Sequence, residues 1–262
     1  MELIGRVVVL TGAAHGIGAA MARRFAAEGA SGVVVSDLDA DGAERVAAGI
    51  RDAGGRAVAA VTDVTSKKDL KALVAGARAE FGPVDLFCAN AGAAFGTGVH
   101  AADEQWAKSW EINVMQHVHA AQAVLPSMLA RGEGCLLLTA SAAGLLGVPG
   151  DAPYSVTKHA AVALAEWLAI TYRPRGVRIS ALCPLGVRTA LLEPGLAAGH
   201  PAALAIAAAA PLLEPEDVAD AVVRGLSRDE FLILPHETVR DTFSRKASAV
   251  DAWITEMAAQ GG

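Results

Sequence analysis

No apolar run in the 262-residue sequence reaches the ~18 to 20 residues of a membrane span, because glycine, proline or a charge interrupts each one. A membrane partner is therefore not expected. Positive charge is also scarce. The sequence has 22 Lys and Arg against 28 Asp and Glu, and a net charge of −6 is a poor basis for gathering phosphate backbones or anionic lipid. Nucleic acid is not expected as a partner either. Cysteine is limited to Cys88, Cys135 and Cys183, which sit in apolar runs without C-x-x-C spacing and read as small buried hydrophobes. His117 and His119 are two positions apart, so on a helix they diverge, and no metal site is expected. The opening MELIGRVVVLTG has one Arg and lacks the regions of a secretory signal, so the expected location is cytoplasmic. Linkers, repeats and low-complexity spacers are missing too, and residues 1–262 are expected to form one domain.

Apolar residues make up 53% of the chain and charged ones 19%, a balance suited to a sheet covered on both faces. Short Val-, Leu- and Ile-rich runs alternate with longer Ala-rich helical patterns. The strand candidates are residues 6–10, 32–36, 57–61, 86–89, 134–139, 178–182 and 231–234. This pattern predicts an α/β fold, an open, doubly wound parallel sheet of about seven strands, with ligands at the carboxyl ends of the strands. Residues 190–213, nearly all apolar from 197 onward, are expected to form a lid, and residues 236–262 a helical tail. In that tail Phe243, Val250, Ile254 and Met257 give one amphipathic helix a single apolar stripe. Glu214, Glu216 and Asp217 read as the acidic start of another helix.

After the first strand comes Thr11-Gly12-Ala13-Ala14-His15-Gly16-Ile17-Gly18, followed by a helix. Gly12, Gly16 and Gly18 suit a sharp reversal, close approach of backbone to a pyrophosphate, and close helix-to-strand contact. The helix N-terminus offers N–H groups and a positive dipole end to the phosphates. The second strand ends in Ser36-Asp37. An acid there accepts from both ribose hydroxyls and repels a 2′-phosphate, so Asp37 argues for NAD. His15 is neutral near pH 7 and supplies no fixed cation to such a phosphate.

The fifth strand leads to Ser141, and a twelve-residue loop follows before Tyr154-Ser155-Val156-Thr157-Lys158 at the head of a long helix. Positions i and i+4 share a helix face, so the Tyr154 hydroxyl and the Lys158 ammonium can converge. An isolated phenol with a pKa of ~10 is too protonated to serve as a base at neutral pH. A neighbouring ammonium, together with the positive nicotinamide ring, is expected to favour phenolate and lower that value. Ser141 is suited to holding a substrate oxygen.

Together these elements resemble the short-chain dehydrogenase/reductase family, with its T-G-x-x-x-G-I-G turn and Ser-Tyr-Lys triad, over residues 5 to about 235. The resemblance implies a Rossmann-type sheet, an NAD cofactor and catalysis by Ser141, Tyr154, Lys158 and Asn113, the last helping to hold a water in a proton relay. It further implies cofactor contacts from Gly12, His15, Gly16, Ile17, Gly18, Asp37, Leu38, Asp63, Val64, Asn90, Ala91, Gly92, Tyr154, Lys158, Pro184, Val187 and Thr189. Asp63 also reads as a plain turn residue, and Asn113 as a kink or cap. The family's usual Pro-Gly after the sixth strand is replaced by Pro184-Leu185-Gly186, which puts the local backbone path in question.

The expected substrate is a small-molecule alcohol or ketone, medium-sized and apolar. Leu145, Leu146, Val148, Leu191, Leu192, Leu196, Leu204 and Ile206 are the expected lining, unless they merely pack a lid. The helices at 103–131 and 154–172 carry broad apolar faces, and the resemblance implies that they form the contacts of a homo-oligomer, tetramer or dimer. The alternative from another class is a regulatory protein that binds NAD without turnover. A sensor needs only the phosphate turn and Asp37, so the triad speaks against it. An epimerase or dehydratase of the longer sugar-nucleotide type is disfavoured because only about 70 residues follow Thr189.

Overall fold

The computed structural model describes residues 1–95, 98–147 and 150–260. Its sheet has seven strands: β1 Val7–Thr11, β2 Gly32–Asp37, β3 Ala57–Val61, β4 Leu86–Ala89, β5 Gly134–Thr139, β6 Val177–Leu182 and β7 Leu232–Ile233. Every pairing is parallel, in the order β3-β2-β1-β4-β5-β6-β7. The helices are α1 Gly16–Ala27, α2 Ala40–Asp52, α3 Lys67–Phe81, α4 Asp103–Trp110, α5 Gln116–Arg131 and α6 Ala143–Leu146. After them come α7 Ala152–Tyr172, α8 Glu193–Ala197, α9 Pro201–Ala209, α10 Pro215–Ser227, α11 Glu237–Ser248 and α12 Val250–Gln260. The strand candidates fall where expected to within one or two residues.

Alternate strand residues feed two cores, as the two-residue period requires. Val9, Phe87, Leu136 and Leu138 meet α3, α5 and α7, while Val8, Leu10, Cys88 and Leu137 meet α1, α2 and α10. The three cysteines are buried, and burial pushes the Cys135 and Cys183 thiols up to about 12, which keeps them inert. Strand order reverses beside β1, between β2 and β4, and a crevice opens there at the carboxyl ends.

Residues 193–209 form α8 and α9, and α10 starts as expected, with the Glu214 N–H donating to the Asp217 carboxylate. The tail differs from expectation. Non-helical backbone at Ala249 (φ −153°, ψ 69°) breaks it into α11 and α12. Val250 and Ile254 are exposed, while Val239 and Trp253 are buried. The break lets α12 fold back so that the Arg245 guanidinium lies 5.4 Å from the Trp253 ring centroid, and one continuous stripe does not form.

Candidate active site

The glycine-rich turn is shaped by contacts that a side chain would abolish. Gly12 has φ +61°, and a Cβ there would lie 2.7 Å from Ala91 Cα. Gly16 has φ +51°, with the Thr189 methyl 3.1 Å from its Cβ position. Both line the crevice. Gly18 is not on its wall: its Cβ position meets the Gly12 carbonyl oxygen and lies 2.7 Å from Asn90 Nδ2, the close helix-to-strand contact expected of one of these glycines. No side chain caps α1 and its first turn holds no acid, which leaves the N-terminal dipole facing the crevice beside His15, Gly16 and Ile17. The His15 ring turns to Asp39, with Nε2 2.8 Å from Oδ2.

Asp37, at the end of β2, accepts from the Ala14 N–H at 3.0 Å and from the Asp39 N–H at 3.1 Å, one bond to each carboxylate oxygen. It thereby ties the glycine-rich turn to β2. Each oxygen keeps a lone pair for a further donor. Leu38 beside it is exposed on the crevice wall. Asp63 Oδ1 accepts from both the N–H and the hydroxyl of Thr65, at 2.9 and 2.7 Å, so it is a turn residue as well as part of the wall with Val64. Asn90 donates to the Gly12 carbonyl at 3.0 Å, and its Oδ1 accepts from the Thr139 hydroxyl at 3.0 Å, bracing β1, β4 and β5. Ala91 and Gly92 continue the wall.

Tyr154 and Lys158 share one face of α7 and converge with Ser141 in this crevice. Asp151 caps α7: its Oδ1 accepts from the Tyr154 N–H at 2.9 Å, and its Oδ2 from the Phe95 N–H at 3.0 Å. The Lys158 ammonium lies 5.5 Å from the Tyr154 ring centroid and donates to the Thr139 carbonyl at 3.0 Å. Burial pushes its pKa down to about 8. The ammonium alone does not lower the Tyr154 pKa. Burial raises it, and a hydrogen bond with Ser141 pulls the other way. The ammonium's reach past the ring to Thr139 leaves burial as the larger effect. Asn113 sits in a π-helical turn, Glu111–Met115, and does not line the crevice. Its amide donates to the Ala93 carbonyl at 2.9 Å and to the Thr157 hydroxyl at 3.1 Å, and its Oδ1 accepts from the Ala93 N–H at 3.0 Å. Both amide hydrogens are engaged, so this side chain holds a loop against α7, while its Oδ1 accepts a single bond and keeps a lone pair for a further donor such as a water.

After β6, the Pro184 carbonyl accepts from the Ala142 N–H at 2.8 Å, and Val187 pairs with Leu213 as an isolated bridge. A Cβ on Gly186 would lie 2.5 Å from Leu212 Cδ2 and 3.0 Å from Ile206 Cγ2. Packing by the 201–213 segment therefore accounts for the displaced glycine. Buried His236 closes this loop: its Nδ1 accepts from the Leu185 N–H at 3.2 Å, and its Nε2 is 3.1 Å from the Gly186 carbonyl oxygen.

The crevice has a volume of about 1330 Å³. Of the expected apolar lining, Leu191, Leu192 and Ile206 are on its wall. Leu145 and Leu146 instead join the core, because α6 packs on α7 and α11, where the Lys246 ammonium donates to the Leu145 carbonyl at 2.6 Å. Leu196 and Leu204 are off the wall, Leu204 being exposed, and Val148 lies outside the described residues. Phe95, Lys108, Ile112, Asp151 and His200 line the crevice without having been anticipated. Asp151 was detectable, since Asp-Ala-Pro-Tyr carries the cap and early proline of a helix start.

The crevice has the build of a dinucleotide-binding oxidoreductase. The short chain dehydrogenase family matches residues 6–197. The chain is 36% identical over 244 residues to 1-deoxy-11-beta-hydroxypentalenate dehydrogenase of Streptomyces exfoliatus, covering 92% of this chain and 86% of that one. It is 39% identical over 222 residues to cis-4-hydroxycyclohexanecarboxylate dehydrogenase of Sinomonas cyclohexanicum, covering 83% and 87%. A short chain dehydrogenase/reductase from Burkholderia phymatum, solved in complex with NAD, superposes with a TM-score of 0.87 at 29% identity over 96% of each chain. The chain belongs to the short chain dehydrogenase family and is a dehydrogenase. Among the described residues, no helix is long and apolar enough to cross a membrane.

Proposed function

We propose that the chain moves a hydride between NAD(H) and a secondary alcohol/ketone pair, with Tyr154 exchanging the hydroxyl proton. The supporting observation is the meeting of Ser141, Tyr154 and Lys158 in one crevice with Asp37 and the uncapped α1 N-terminus. The glycine positions fit a dinucleotide: Gly12 and Gly16 adopt left-handed backbone on the crevice wall, which brings main chain close to a phosphate. Asp37 would take the ribose hydroxyls, Leu38 and Val64 would flank the adenine, and Pro184, Val187 and Thr189 would face the nicotinamide. Bound there, the nicotinamide supplies the hydride acceptor or donor. Ser141 holds the substrate oxygen, and Lys158 places a buried positive charge beside the phenol, favouring phenolate when the proton leaves. Leu191, Leu192 and Ile206 favour a medium-sized apolar substrate covered by α8 and α9 as a lid. A carboxylate-bearing ring is a second reading, favoured by Lys108 and His200 on the wall and by the names of the two curated relatives.

The test follows NADH absorbance across secondary alcohols with and without a ring carboxylate, using NAD and NADP in parallel. Turnover with NAD is expected. Cofactor binding without turnover on any alcohol would instead fit a regulatory protein.

A further inference from the structure

β6 outruns β7. The Ala181 N–H donates to Phe231 at 2.7 Å and the Cys183 N–H to Ile233 at 2.9 Å, but β7 ends there and Pro235 follows. Beyond that point the backbone of residues 185 and 186 needs other partners. The His236 ring supplies them. Its Nδ1 accepts from the Leu185 N–H at 3.2 Å, and its Nε2–H donates to the Gly186 carbonyl at 3.1 Å, a pattern that requires the neutral tautomer protonated on Nε2. Burial lowers the pKa of this histidine, in keeping with a neutral ring. The same Gly186 carbonyl accepts from the Leu213 N–H at 3.0 Å, and the Arg188 N–H donates to the Leu213 carbonyl at 2.9 Å. One ring therefore fixes the start of a segment whose next residues are Val187 and Thr189. Thr189 donates to the Val187 carbonyl at 3.3 Å and lays its methyl against the Gly16 Cβ position.

We propose that His236 is a positioning residue for cofactor binding: it sets the backbone path by which Val187 and Thr189 face the nicotinamide and anchors the end of the lid segment at Leu213. This rests on the NAD reading given above. Two variants separate the ring's hydrogen bonds from its volume: H236F keeps the bulk and removes both bonds, and H236N restores an acceptor where Nδ1 lies. NADH affinity is read by fluorescence titration, KM for NAD and kcat by steady-state kinetics, and folding by thermal melting. For H236F the NADH Kd and the KM for NAD are expected to rise about tenfold, the scale of one to two lost buried hydrogen bonds, with kcat at saturating NAD changed less than about threefold. H236N is expected to recover to within about threefold of wild type. A folded H236F with Kd within about twofold of wild type overturns the proposal, as does H236N binding no better than H236F. If H236F does not fold, H236Q takes its place, since it keeps a donor near Nε2 but removes the acceptor for the Leu185 N–H; a folded H236Q with Kd within about twofold of wild type overturns the proposal. Wild-type protein that fails to bind NADH overturns the NAD reading and this inference with it. Normal wild-type binding beside an unaffected H236F overturns this inference alone.

Discussion

Tyr154 and His117 show how burial acts on single side chains. Burial opposes ionisation of the Tyr154 phenol, so in the proposed mechanism its hydrogen bond with Ser141 and the Lys158 charge act at the moment of proton transfer. Tyr154→Phe is expected to lower kcat by ~10² to 10⁴ while NADH Kd stays within about twofold, checked by stopped-flow and titration. His117 is fully buried on α5, neither ring nitrogen has a hydrogen-bond partner among the described residues, and burial with the nearby Lys158 lowers its pKa to about 3. The unfolded chain therefore binds one more proton than the folded one between pH 3 and 6.5, and stability falls on acidification through that window. At pH 4.5 this costs about 3 kcal/mol. His117→Leu is expected to flatten the fall between pH 6.5 and 4.5 by about that amount, measured by urea unfolding at each pH. An unchanged slope would show that the ring is not buried neutral. The sequence showed this histidine as one of a pair on a helix, but its environment depends on β5 and α7 and could not be read from neighbours in sequence.

At the scale of turns and helices, Asp37 joins two elements as well as lining the crevice. Asp37→Ala is expected to reduce the NAD-over-NADP preference at least tenfold, and also to destabilise the fold by about 1 to 3 kcal/mol as the Ala14 and Asp39 N–H groups lose their acceptor. Ratios of kcat/KM and thermal melting read the two effects separately, and a retained preference would remove Asp37 from cofactor choice. Gly186 joins the loop after β6 to the segment that covers the crevice. Gly186→Ala is expected to cost about 1 to 3 kcal/mol by overpacking and to raise substrate KM, while adding Leu212→Ala restores both. Failure of the second change to rescue would argue against this contact as the cause. Strands, the phosphate turn and the Tyr-Lys spacing were legible because each depends on residues within a few positions of one another. His236 was missed, and the reason for the displaced Gly186 could not be read, because what they touch lies about twenty to fifty residues away. Only three of the eight expected apolar lining residues are on the wall for a similar reason: whether α6 faces the crevice or the core depends on α11, which contributes Lys246 from 101 residues away.

Across the whole molecule, the outer faces of α4 and α7 leave Trp110, Val156, Trp167 and Ile170 exposed. A run of large apolar side chains on one helix face suits a self-complementary contact, and we propose a homo-oligomer through these helices. Trp167→Glu with Ile170→Lys is expected to lower the mass measured by light scattering to that of a smaller species, with the far-ultraviolet circular dichroism unchanged. An unchanged mass would place the contact elsewhere. The strand order also bears on the chain as it is made. β1 gains β2 as a neighbour early, and the Asp37 carboxylate reaches back 23 residues to Ala14, whereas the Asn90 amide must return across 78 to Gly12. At ~5 to 20 residues per second, roughly 3 to 10 s of synthesis separate the end of β2 from the end of β4. Throughout that interval β1 presents an all-apolar edge, Val7 to Leu10, without its second neighbour, and an edge of that kind is open to mispairing while the chain is still on the ribosome.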